Sequence, residues 1–136
     1  MNGIQFHYTR VAEKSVPDAI AALEGALAKR KFSALWHLDM RAKLQEKGQA
    51  FDGEFHVFEV CSAPHAKVAL ETNLEVGYFL PCKMVVYSKD GKTYVGLLRP
   101  NLLIEMLGEE RLQSLANHVE AELSAAVDEA ALPVRQ

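Results

Sequence analysis

Hydrophobic residues recur along this chain with two periods, and the switches between them outline its elements. From Ile4 to Val11 the alternation puts Ile4, Phe6 and Tyr8 on one side and Gln5, His7 and Thr9 on the other, which predicts a half-buried strand. Ser15-Val16-Pro17-Asp18 then reads as a helix start: Ser15 caps, Pro17 suits the first turn, and Asp18 adds negative charge. Ala19, Ile20, Leu23, Ala26 and Leu27 form the apolar stripe of that helix. Alternation returns from Phe32 to Met40, with Phe32, Ala34, Trp36, Leu38 and Met40 on one face and Ser33, Leu35, His37 and Asp39 on the other. Arg41 to Lys47 suits a short helix stopped at Gly48, and Gln49 to Gly53 a loop.

Phe55 to Cys61 is rich in aromatic and β-branched residues and predicts a third strand. Ser62 and Pro64 open a helix running to about Glu75, with Ala66, Ala69, Leu70 and Leu74 facing inward, and Val76-Gly77 ends it. Leu80 to Ser88 and Thr93 to Arg99 are two strands joined through Asp90-Gly91, a strong hairpin signal. Pro100 begins a helix that Gly108 breaks. Leu112, Leu115, Ala116, Val119, Leu123 and Val127 mark a final long helix. The order β-α-β-(α)-β-α-β-β-α-α, with one enforced hairpin, predicts an α+β domain: a mixed, mainly antiparallel sheet of about five strands with helices on one face. No linker, repeat or low-complexity segment divides the chain. Residues 1–136 therefore read as a single domain, with a core over about 3–107, a C-terminal helix over about 109–128 and a fraying tail at 131–136.

Composition narrows the function classes. A net charge of −3 has the wrong sign for a general binder of nucleic-acid phosphates, so no nucleic-acid partner is expected. The basic run Lys29-Arg30-Lys31 fits a solvated helix end. No stretch approaches the ~20 apolar residues that span a bilayer, and the N-terminus lacks the apolar segment of a signal peptide, so a cytoplasmic protein without a membrane partner is expected. Two cysteines are too few for a disulfide framework and should be free thiols in a reducing cytosol. No glycine-rich phosphate loop, dinucleotide fingerprint, His-Glu-x-x-His or Gly-x-Ser-x-Gly element is present, and no cofactor is expected.

The residues with chemistry to offer are few. Cys82 follows Pro81 at a strand start; it reads as a thiolate beside Lys83 or as a small buried hydrophobe. Cys61 precedes a helix N-terminus, a position that favours thiolate, and it also suits plain packing. His65 offers a nitrogen near Cys61, but the spacing alone is a weak metal signal, and no metal site is assigned. His37 and Asp39 stand side by side on one strand face, as an Asp-oriented general base or as a structural polar pair. They line a groove if that face is the open side of the sheet. His7 and His56 extend this into a pH-sensitive surface if their strand faces are contiguous with His37. His118 is expected in solvent on the last helix.

Cys61-Ser62-Ala63-Pro64, Leu80-Pro81-Cys82-Lys83 and Val85-Val86-Tyr87 leading into Asp90-Gly91 resemble the central signature of domain of unknown function 302. Leu38-Asp39, Leu44 and Gly48 fit the same pattern. The resemblance spans roughly Ile4 to Leu107, which leaves the last helix as an appendage. Lys83 stands where the family commonly has Arg, and Lys lacks the planar fork for a carboxylate or phosphate. The resemblance implies a curved sheet of TATA-binding-protein-like α+β architecture and a homodimer. It implies no reaction. The expectation is a small-ligand-binding or accessory module, with the ligand near Cys61, Cys82, Lys83, His37 and Asp39. Thiol redox or catalysis through Cys82 and Cys61, and a Cys/His metal or haem site, are the alternatives. A further reading gives the last helix to the dimer.

Overall fold

The structure is a computed structural model and describes residues 5–133. The expected positions of Ile4 in the first strand and of residues 134–136 in the tail lie outside the described residues. Five strands, β1 (His7–Ala12), β2 (Ser33–Asp39), β3 (Phe55–Cys61), β4 (Cys82–Lys89) and β5 (Lys92–Leu98), form one sheet in the order β1-β5-β4-β3-β2. Every neighbouring pair is antiparallel. The β4–β5 connection is the tight turn that Asp-Gly calls for: Lys89 pairs with Lys92, and both Asp90 (φ 52°) and Gly91 (φ 75°) are left-handed.

Helices cover one face only. In α1 (Val16–Lys29) the Ser15 hydroxyl accepts the Asp18 N–H at 3.2 Å, and Ala19, Leu23, Ala26 and Leu27 are buried. The long α5 (Gln113–Ala131) lies beside it and buries Val119, Leu123, Ala126, Val127 and Ala130. Both stripes meet the inward residues of the central strands, among them Phe58, Val60, Met84, Val86, Val95 and Leu97, in one core. Far from being an appendage, α5 is half of the layer that roofs the sheet. A smaller apolar cluster joins α3 (Ala63–Thr72), α4 (Pro100–Leu107) and the start of α5 through Ala69, Val76, Ile104, Leu112 and Ala116. Among the described residues, no helix is long and apolar enough to cross a membrane.

Two expectations are corrected. The α3 helix stops at Thr72, because Asn73 turns extended and its side chain caps a following 3-10 turn over Leu74–Tyr78. Leu74 is therefore 79% exposed, and of the four residues expected to face inward only Ala69 is buried. In β2 the alternation does not run straight through. A bulge between Ala34 and Trp36 shifts the register against β3 by one residue. Ala34 opposes Val60 on the helix side, yet Trp36 and Leu38, opposite Glu59 and Val57, face the other way. The extra residue of a bulge exchanges the faces beyond it.

Candidate functional site

The two thiols share one end of the sheet only if β3 and β4 run antiparallel, and they do, which brings both to one cavity. Cys61 ends β3 and Cys82 begins β4, and the antiparallel register sets Cys82 opposite Val60. The cavity, of about 70 Å³, lies between this sheet end, α3 and α5, and its lining includes Phe32, Cys61, His65, Cys82, Ala116 and Val119. A second recess of about 40 Å³ shares Val76, Leu80, Cys82, Pro100 and Ile104 with the first and reaches Lys83 and Leu103. The wall is almost entirely hydrocarbon because α3, α4 and α5 each present their apolar stripe to it.

Electrostatics at this end keep sulfur protonated. Burial, then the neighbouring Cys61 and Glu59, pushes the Cys82 thiol up to about 12. Burial also raises Cys61, despite its place ahead of the α3 N-terminus. Lys83 does not activate Cys82: successive strand residues point to opposite faces, and the Lys83 ammonium stands 4.0 Å from Glu59 on the bare side. His65 is stacked on Phe32 with centroids 5.8 Å apart and meets His118, itself exposed, at 5.3 Å. Among the described residues, the buried Nδ1 of His65 has no hydrogen-bond partner.

His37 and Asp39 are not part of this site. They lie on the helix side of β2, opposite Phe58 and His56, so the pair does not line the open face of the sheet. Cys82 is on the far side of β3 from them. Asp39 does not orient His37 either. Its carboxylate caps α2 (Met40–Glu46), accepting the Ala42 N–H at 3.0 Å, and this bond holds the carboxyl below its ordinary range. The partner of His37 is His56, with Nε2 and Nδ1 2.9 Å apart. His56 thus joins His37 on one face, whereas His7 lies on the opposite face and bonds Thr9 at 2.7 Å. Residue spacing signals the His37–His56 contiguity only once β2 is known to pair with β3. Among the described residues, no group of three or more His, Cys, Asp and Glu side chains is placed to hold a metal ion.

The bare face of the sheet is unusually apolar. Val57, Val85, Leu38, Leu98 and Trp36 lie on it, and Tyr94, Tyr87 and Phe55 stack across three strands with centroids 5.1 and 5.2 Å apart, each pair tilted by 12°. Its charges are Lys83 and Glu59, neighbours in one cross-strand row that continues to His7, and the paired Lys89 and Lys92 at the hairpin end. A shallow groove of about 350 Å³ runs between Phe6 and His7 at one side and Phe55 and Tyr87 at the other.

With this geometry in place, the family model described as "Domain of unknown function DUF302" matches residues 7–130. The chain belongs to the DUF302 family. A solved structure, the crystal structure of the uncharacterized conserved protein DUF302 from Bacillus stearothermophilus, is 38% identical, covers 93% of this chain and 99% of its own, and superimposes with a TM-score of 0.90. None of the curated proteins matches the chain. The DUF302 match extends well past Leu107 and takes in nearly all of α5. That agrees with the packing: without Ala116 and Val119 of α5, the thiol cavity of this DUF302 chain has no outer wall.

Proposed function

We infer that this protein is a small-ligand-binding module that works as a homodimer in the cytoplasm. One observation carries the ligand reading. The joined recesses around Cys82 are walled by hydrocarbon and neutral thiols, with His65 at one side and Lys83 at the rim of the other. Ligand sites combine apolar walls with a few polar groups in this way. The inner recess has room for about two water-sized groups at liquid density. It therefore takes the apolar part of a small ligand, with the buried Nδ1 of His65 as the polar group in its wall. Thiolate chemistry fits less well, since burial disfavours ionisation of both sulfurs.

The bare sheet face supports the dimer. Five strands at about 4.8 Å and six residues at about 3.3 Å give a flat footprint of roughly 480 Å². Side-chain relief and the flanking Phe6 bring this toward the about 800 Å² per partner of a standard interface. Glu59 and Lys83 lie side by side on this face, so a two-fold axis placed between them pairs opposite charges across the interface. Two unbridged thiols suit a reducing compartment.

Native mass spectrometry of the gently purified chain tests both halves. The expected result is a dimer carrying a small molecule, with the molecule lost in Ala116→Leu, which fills the cavity, and the dimer lost in Val85→Glu. A monomeric wild type across a concentration series sinks the dimer. An Ala116→Leu variant that keeps its ligand sinks the site.

A further inference from the structure

The edge strand β2 is fastened to the body by a pair of imidazoles, and the fastening has a limited capacity for protons. β2 has one strand neighbour, β3, and the α2 helix that follows it buries no residue. Beyond the ladder, Ala34 packs on the core, Arg41 of α2 reaches toward Glu54, and His37 supplies the aromatic and imidazole contacts. Its ring stacks on Phe58 with centroids 4.3 Å apart and a 23° tilt, and its Nε2 meets Nδ1 of the buried His56 at 2.9 Å. On the far side of His56, Nε2 stands 3.7 Å from the Glu54 carboxylate.

This line of groups fixes where protons sit. Glu54 favours a hydrogen on Nε2 of His56, which leaves His56 Nδ1 as an acceptor. His37 must then donate from Nε2, and its Nδ1 keeps a free lone pair. With one extra proton on the pair, the 2.9 Å contact keeps one donor and one acceptor whichever ring carries the charge, and the bond becomes charge-assisted. A second proton puts a hydrogen on both facing nitrogens, abolishes the acceptor and sets two cations ring to ring. We propose that the His37–His56 pair is a proton-counting clasp: closed with no proton or one, opened by the second, releasing β2 and α2 from the edge of β3.

The surrounding charges set the range. Glu24 of α1 and Asp39 of β2 face His37 and favour its cation; Glu54, itself 4.0 Å from Arg41 of α2, steadies His56. Burial and the His56 ring outweigh them and lower the proton affinity of His37. The unfolded chain therefore binds more protons than the native one, and stability falls as pH drops through the ordinary imidazole range of about 6.5 and below. Release uncovers the hydrogen-bonding edge of β3 and the Phe58 ring, a surface made for a partner strand.

Amide exchange followed by NMR on the full chain tests this, with intrinsic rates corrected for pH. Between pH 7.5 and about 4.5, protection at Trp36–Asp39 relative to β4 and β5 is expected to fall about fivefold, the factor that one net hydrogen bond carries. In His37→Gln the extra fall disappears, and the imidazoles of the wild type titrate in two separated steps. Because His37 is exposed, this variant keeps the fold. Independent, coincident titration of the two rings overturns the proposal. So does an unchanged β2, or a fall that persists in His37→Gln.

Discussion

The two faces of this sheet are built from nearly the same residues and do opposite things. Val60, Val86 and Val95 are fully buried beneath α1 and α5, while Val57 and Val85, on two of the same central strands, stand half-open on the bare side. The covered face buries side chains within the chain itself and so sets its stability. The bare face, with its aromatic ladder, has no helical layer above it among the described residues and adds less to that stability. Hydrophobicity alone does not separate a core face from an uncovered one; the layer above each face does.

Substitutions that strike one face at a time sharpen this contrast. Leu123→Ala, fully buried where α5 meets the sheet, is expected to cost about 2–5 kcal/mol through lost burial and the cavity left behind. Val85→Ala on the bare face should cost less than about 1 kcal/mol in a dilute, dissociated sample. Chemical denaturation of both variants measures the gap, and equal costs would erase the distinction between the faces. A loss of about 1 kcal/mol, below that of Leu123→Ala, is expected for Asp39→Ala, which removes the α2 cap. The native carboxyl of Asp39 sits below its unfolded value, so the cap's contribution is complete above the unfolded pKa and disappears as pH falls through the native one. Denaturant midpoints at neutral and acid pH read both effects. The smallest signal is expected at the thiol end. Cys82 should show no thiolate absorbance at pH 9–10, where a free cysteine with a pKa of about 8.5 is largely ionised, because its own value is about 12. An ionised Cys82 at pH 9 would mean that the cavity is wetter than its walls imply.

Much of this architecture is written locally. The Ser15 cap, the Asp90-Gly91 turn and the apolar stripes of α1 and α5 each depend on residues a few positions apart, and all are found where the pattern puts them. The exchange of faces in β2 is not legible, because a bulge depends on how Ala34 and Trp36 meet a strand more than twenty residues away. The early end of α3 depends on Asn73, whose capping role competes with a stripe that otherwise continues. At the candidate site, the sequence points to Cys61 and Cys82 as neighbours only if their strands are antiparallel, and they are. It pairs His37 with Asp39 because strand spacing sets them side by side, but Asp39 is drawn forward by the backbone of α2, and His37 turns across to His56.

One closing contact has a consequence for how the chain is made. Tyr8 in β1 donates its hydroxyl to Asp128 of α5 at 2.6 Å across 120 residues, and β1 has no strand neighbour other than β5. On the ribosome, then, β1 has no strand to pair with until β5 has been made, and no Asp128 to meet until the last helix follows. These early residues must wait for the late ones, and this is where a nascent-chain chaperone would find its longest opportunity.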